Sequence, residues 1–462
     1  MEIYPVRGTM QAHWQAAEAF RHKLHQHPEL TWQEHATADS IRAALSALDI
    51  PWRACAGTGT IARLNPAGAN RANETAGTAG GADEAAAATG VDAGDGAAGP
   101  DSAVGSASTA TSAARQPAAH APAANTRRPH IALRADIDAL PIHEETNVPW
   151  KSRIPGCMHA CGHDGHTAAL MLTASWLKQH ESQLPGPITL LFQPAEEGGH
   201  GAKKMIEDGA LEGIDEIYGW HNWPAIPFGK AVCPIGPVMS ANATFSIDIQ
   251  GMGGHSSQPE LCRDPVLSGS AVVTALQQIV SRRLPPQIPA VVSITSFDAP
   301  SAPTVIRDTI RLEGSIRVAD TALLTVVTDL ITEIAVNTAA AYGTIATVEH
   351  IPRYGATINH PKQAQRAGAA LQTVLGTEYH HPEIMIPLMA SEDFSYYLEE
   401  IPGAFMLIGS AVNNRYSAAC HSPRYEFNDA LIETAARTMI LLTGGPLPSI
   451  DHEQTEIHRN SP

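Results

Sequence analysis

Six cysteines in 462 residues (Cys55, Cys157, Cys161, Cys233, Cys262 and Cys420) are too few and too scattered for a disulfide framework. A reducing cytoplasm suits them, and any special cysteine is expected to be a ligand or a nucleophile. Basic residues are also short. Thirty Lys and Arg against 47 Asp and Glu leave a formal charge of −17, which argues against nucleic acid and anionic membrane as partners. No apolar run is expected to reach the roughly 18–20 residues of a bilayer span. The opening Met1-Glu-Ile-Tyr-Pro-Val-Arg7 has no basic patch followed by an apolar core, so no signal peptide is expected. Residues 67–126 lack Leu, Ile, Met and every aromatic, and are dominated by Ala and Gly. Such a segment buries too little apolar surface to offset its ordering entropy, so it is predicted to be a disordered insertion without chemistry.

What remains is dense and patterned, and its length predicts two domains. Helices are expected over 10–27 and 33–48 and a strand over 60–64. After the insertion, strand 130–135 ends in Asp136-Ile-Asp138, and strand 187–192 ends in Gln193-Pro-Ala-Glu-Glu197. Strand 216–220 ends at His221, and helices over 167–180 and 202–211 intervene. In a largely parallel sheet these strand ends share one edge, where α/β folds place their sites. Residues 241–351 read differently. Phe245, Ile247 and Ile249 alternate with polar residues, and the order that follows is βαββαβ, a ferredoxin-like pattern. Past Pro352 come helix 361–375, strand 404–408 and helix 429–442. The expected fold is therefore α/β, with a catalytic unit over 1–240 and 352–462 interrupted by a self-contained unit over 241–351.

The stretch Met158-His-Ala-Cys-Gly-His-Asp-Gly-His166 packs three histidines, a cysteine and an aspartate into nine residues. Cys161 and His163 are two apart and can reach one ion from the same side. Taken alone the stretch reads equally well as a histidine-rich loop, since the chain holds 22 His. Glu196-Glu197 adds weight, because consecutive strand-end residues point apart. One carboxylate can then hold a metal while the other faces a water. Cys161, His163, Glu196, Glu197, His221 and His421 together make a donor set suited to zinc or a similar divalent ion.

Seven motifs in order carry a resemblance. They are His25-Gln-His-Pro-Glu-Leu, Arg134-Ala-Asp-Ile-Asp-Ala-Leu-Pro, the 158–166 stretch, Gln193-Pro-Ala-Glu-Glu-Gly-Gly, Gly253-Gly-His-Ser, Ser391-Glu-Asp-Phe and His421-Ser-Pro-Arg-Tyr-Glu-Phe-Asn-Asp. The chain resembles the aminoacylase, hippurate hydrolase and indoleacetyl-amino-acid hydrolase group of metallopeptidases, with a carboxypeptidase G-like fold. The resemblance implies a mixed sheet with helices on both faces, interrupted by a lid that also dimerises. It implies two divalent ions per subunit, manganese or zinc with cobalt or nickel as alternatives. Their ligands would be Cys161, His163, Glu197, His221 and His421, with Glu196 as general base. It also implies that His255 reaches the partner subunit's site and stabilises the oxyanion. Asp138 is read either as orienting a metal ligand or as a strand-end cap, and Arg317 either as a carboxylate-binding group or as an exposed strand residue. His159 and His166 are read as helix-start or loop residues. Where relatives carry Asn-Val-Ile-Pro this chain has Thr304-Val-Ile-Arg307, which puts an inherited substrate contact at 304 in doubt. The implied activity is hydrolysis of N-acyl amino acids. The rivals are a peptidase acting on short peptides, an amidase with Cys161 as nucleophile, and a metal-binding protein without turnover. Cys161 is the expected weak point toward oxidation.

Overall fold

The computed structural model describes residues 4–5, 7–66 and 128–447, so the predicted insertion 67–126 lies outside the described residues. The larger sheet has seven strands in the spatial order Trp52–Cys55, Gly59–Leu64, Ile188–Gln193, Ile131–Asp136, Glu216–Pro227, Gly403–Ala411 and Ala231–Val232. The four from Ile188–Gln193 to Gly403–Ala411 are parallel, and the flanking strands run antiparallel. The chain steps from Ile131–Asp136 to one neighbour and then returns across it to the other. That strand therefore sits where the winding reverses, the place at which open α/β sheets form crevices.

Strands Ile131–Asp136 and Ile188–Gln193 are buried along their whole length. Pleating sends Leu190 and Met406 into an apolar cluster with helices Met10–Gln26, His163–Gln179 and Ala430–Leu442. It sends Leu191 and Leu407 into a second cluster with Met205, Phe394 and Tyr397. Both faces are covered, so polar side chains can reach solvent only near the strand ends.

The smaller sheet is antiparallel, in the order Ala290–Asp298, Thr309–Val318, Ala241–Gln250, Ile345–Pro352. With helices Pro265–Leu276 and Ala322–Ala341 it forms the expected ferredoxin-like βαββαβ arrangement. The first helix starts at Pro265 because Asp264 caps it, accepting the amides of Val266 and Leu267. Phe245, Ile247 and Ile249 meet Leu312, Val327 and Ile331 in a separate apolar cluster.

Three sequence expectations shift. The helix after the cysteine–histidine stretch begins at His163 rather than Thr167. The strand predicted to end at Trp220 continues to Pro227, which puts His221 inside it, opposite Leu407. Helix Ala322–Ala341, against expectation, is long and apolar enough to cross a membrane by composition. Its stripe of Val327, Leu330, Ile331, Ile334 and Ala335 is buried, which is how an amphipathic helix meets a sheet.

Candidate metal centre

Gly162 sets the geometry of the first segment. Its φ of 97° is left-handed, and an added Cβ would fall 2.3 Å from Asn222 Oδ1 and 2.6 Å from Tyr425 Oη. The turn leaves Cys161 just before the helix and His163 on its first residue. Cys161 Sγ lies 3.3 Å from His221 Nε2. The other nitrogen of His221, Nδ1, faces the Asn222 carbonyl at 2.6 Å, so a proton held there leaves Nε2 with a lone pair toward the thiol. His163 Nδ1 faces both the carbonyl (2.9 Å) and Oδ1 (3.1 Å) of Asp138. Its Nε2 is buried without a hydrogen-bond partner, with Asp136 Oδ2 3.8 Å away. Asp138 thus fixes a tautomer whose free nitrogen points into the site, the arrangement of a carboxylate behind a metal-binding imidazole.

The turn carrying Glu196 and Glu197 is strained. Ala195 and His200 adopt left-handed φ values of 55° and 58°, each costing on the order of 1–3 kcal/mol. Four hydrogen bonds hold it. The amide of Ala195 donates to Glu34 at 2.9 Å, and that of Glu197 to Asp138 at 3.0 Å. The Tyr354 hydroxyl donates to the Glu196 carbonyl at 2.5 Å and accepts from the Gly198 amide at 2.8 Å. From the far end of the chain comes His421, itself left-handed (φ 68°), whose amide donates to the Ala160 carbonyl at 2.8 Å. Its Nε2 lies 3.1 Å from Glu197 Oε1, within ion-pair distance though without a hydrogen bond. Overlapping groups with donor atoms within 4.8 Å of one another include Cys161, His163 and His221; Cys161, Glu197 and His421; His163, Glu196 and Glu197; and Asp136, His163 and His166.

Charge is unbalanced here. Buried Arg134 bonds Asp136 (2.5 Å), Glu392 (2.9 Å) and Asp393 (3.0 Å), three carboxylates for one guanidinium. Burial, and then Glu392, Glu197 and Asp393, hold the Glu196 carboxyl well above its usual range. Burial alone would lower His163, but Asp136, Asp138 and Glu197 outweigh it and push it up to about 10. For His221, burial and the neighbouring His166 and His163 win, and its pKa falls well below the usual value. A pocket rich in carboxylates, with an orphaned buried imidazole nitrogen and a thiol beside it, is chemically suited to divalent cations. The residues present fit such ions.

The pocket measures about 440 Å³ and also takes in Arg317, Asn242, Arg353, Tyr354 and Ser391. Arg317 is half-buried and donates to Ser391 Oγ at 2.8 Å, so the exposed-strand reading of it fails. His255 does not line its own chain's pocket. It is exposed on the short strand Gly254–His255, paired with Val305–Ile306, and its Nδ1 meets Ser257 Oγ at 2.8 Å. The Thr304 carbonyl accepts the Ser256 amide in that same turn. His159 lies in the loop before helix His163–Gln179 and His166 in its first turn, as expected, and both are buried. Both ring nitrogens of His166 are engaged, by Asp136 at 2.6 Å and Asn222 at 2.7 Å. Tyr354 and the counter-charge Arg134 escaped the sequence reading as site groups. Their partners lie far away in the chain, and neither residue type signals a metal site.

Residues 132–443 match the model of peptidase family M20/M25/M40. The chain belongs to this family. Among its M20 relatives is the N-acetyl-L-cysteine deacetylase of Bacillus subtilis, 38% identical over 68% of this chain and 74% of that protein. The IAA-amino acid hydrolase ILR1-like 4 of Arabidopsis thaliana is 38% identical over 67% and 71%. The hippurate hydrolase of Campylobacter jejuni is 38% identical over 66% and 79%. Among solved structures, the YXEP protein of Bacillus subtilis, described as a dinuclear metal binding peptidase from the M20 family, superposes with a TM-score of 0.70. It is 28% identical, and the match covers 94% of this chain and 98% of that one. This M20 chain is a hydrolase of the amidohydrolase type.

Proposed function

We propose that this M20 chain hydrolyses the amide bond of N-acyl amino acids, releasing a carboxylic acid and a free amino acid, at a centre of two divalent cations. The observation that carries the reading is the held turn at Glu196-Glu197. It places two adjacent carboxylates in one pocket with Cys161, His221, His421 and a basic wall residue. The deacetylase and hydrolase names of the relatives support the substrate class.

Cys161, His163, Glu197, His221 and His421 would hold the cations. When bound, these ions supply the Lewis acidity that activates a water and polarises the amide carbonyl. Glu196 acts as the base: its carboxyl, raised above the usual range by burial and its acidic neighbours, takes a proton from the attacking water and returns it to the leaving nitrogen. Asp138 keeps the His163 tautomer in place. The Arg317 guanidinium pairs with the carboxylate of the amino-acid half. Residues 241–351 serve as lid and dimerisation unit, and exposed His255 belongs to the pocket of a second copy, where it would stabilise the oxyanion. The setting is cytoplasmic, in keeping with six free thiols.

The test is a panel of N-acetyl, N-benzoyl, N-succinyl and N-indoleacetyl amino acids beside short peptides. It is assayed after chelation and again after adding zinc, manganese, cobalt or nickel. The expected outcome is loss of hydrolysis on chelation and its return with metal, with acyl amino acids preferred over peptides. Chelator-resistant hydrolysis destroyed by thiol alkylation would instead identify Cys161 as a nucleophile. Metal retention without turnover on any substrate would identify a binding protein.

A further inference from the structure

Cys420 lines the same pocket, yet the proposed reaction gives it no part. It precedes His421, whose amide donates to the Ala160 carbonyl, and this contact brings residue 420 beside residue 161. Cys420 Sγ lies 4.0 Å from the Cys161 carbonyl oxygen and 3.8 Å from Asn222 Nδ2. The neighbouring Cys420 thiol, and then burial, push the Cys161 thiol well above its usual pKa. The remaining cysteines are engaged elsewhere. Cys55, Cys157, Cys233 and Cys262 each donate to a backbone carbonyl, those of Met205, Pro28, Phe405 and Gln258.

We propose that Cys161 and Cys420 are a dithiol modification site, which peroxide converts to an intramolecular disulfide with release of the cations and reversible loss of hydrolysis. The loss of hydrolysis rests on the functional reading above; the cross-link does not. One thiolate sulfur attacks an oxygen of hydrogen peroxide. The O–O bond breaks, and the departing hydroxide takes a proton to become water, leaving a sulfenic acid. The second sulfur then attacks the first, the S–O bond breaks, and the second thiol's proton leaves with that oxygen as another water. Two thiols and one peroxide thus give one disulfide and two waters, with sulfur oxidised and peroxide reduced. The product no longer offers a thiolate at position 161. Cys420 also protects the site, because it traps the sulfenic acid before a second peroxide drives it to irreversible sulfinic acid.

The experiment treats the full chain, metal-loaded and chelated, with hydrogen peroxide, then maps peptides by mass spectrometry without reduction. The expected result is a linked peptide pair joining Cys161 and Cys420, formed faster in the chelated protein. Released metal and essentially complete loss of turnover should accompany it, both reversed by a thiol reductant and fresh metal. In Cys420→Ser, basal turnover and metal content are expected to stay near wild type. Peroxide should then leave sulfinic acid at residue 161 and a loss that reductant does not restore. Absence of the linked pair from the chelated protein overturns the proposal, as does equal recovery of wild type and Cys420→Ser. The linked pair in a protein whose hydrolysis ignores chelators would sustain the thiol site and defeat the functional reading instead.

Discussion

The two sheets solve the burial problem in opposite ways. In the larger one, Ile131–Asp136 and Ile188–Gln193 are enclosed on both faces, and their polar chemistry is confined to the ends. In the smaller one only one face is packed. Its edge strands Ala290–Asp298 and Ile345–Pro352 leave Val291, Phe297, Ile345 and Ile351 exposed. The difference separates two duties. A sheet closed on both sides holds a donor set rigidly at one rim, whereas a sheet with an open face leaves apolar side chains at its surface.

The most drastic way to test this division is at the rim. Glu196→Gln is expected to lower kcat by about 10²–10⁴-fold while metal analysis finds the cations retained. A near wild-type rate would move the chemistry elsewhere. Next comes the closed sheet itself. Leu133→Ala removes a fully buried side chain and should cost about 2–5 kcal/mol in denaturant unfolding. Asp138→Ala should weaken metal affinity or activity by about 10–100-fold, read by titration with a competing chelator. Tyr354 follows the last strand of the small sheet and clamps the Glu196 turn. Tyr354→Phe should reduce kcat by up to about tenfold, with KM and Tm little changed, because one hydrogen bond contributes about 0.5–1.5 kcal/mol. A fall in Tm without a change in kcat would reduce Tyr354 to a packing residue. The smallest effect is expected at the open sheet. Val291→Ala, 38% exposed, should change stability by no more than about 0.5 kcal/mol. A loss matching that of Leu133→Ala would show that another copy covers this face in solution.

Much of this was legible because the strands state their environment locally. The apolar stretch Ile188-Thr-Leu-Leu-Phe192, halted by Gln193-Pro194, exposes Glu196 and Glu197 as strand-end groups. The alternation through Phe245, Ile247 and Ile249 announces the half-wet sheet just as plainly. His221 was placed one step too late because Asn222-Trp-Pro breaks the apolar pattern. Pairing with Gly403–Ala411 nevertheless carries the strand on, so tertiary hydrogen bonding overrides the local signal. Arg134 stood in a motif without an assigned role, because its partners Glu392 and Asp393 come from the other half of the chain. The role of Tyr354 was equally hidden, since a lone tyrosine after Pro352 has no periodicity to read. Arg317 was weighed evenly from sequence because a strand alone does not say which face another segment will cover.

His421, the one proposed ligand from the C-terminal part, has a consequence for the order of assembly. It is made long after Cys161, His163, Glu197 and His221 have left the ribosome, and it docks by a backbone bond to Ala160. A growing chain can therefore fold much of its first segment and still lack one of the five donors. Full cation affinity would arrive only once residue 421 has been made, as a late signal that the interrupted halves have met. The same coupling runs backward in the finished protein: by mass action, cation concentration should set how tightly the C-terminal loop stays closed, and with it the melting temperature.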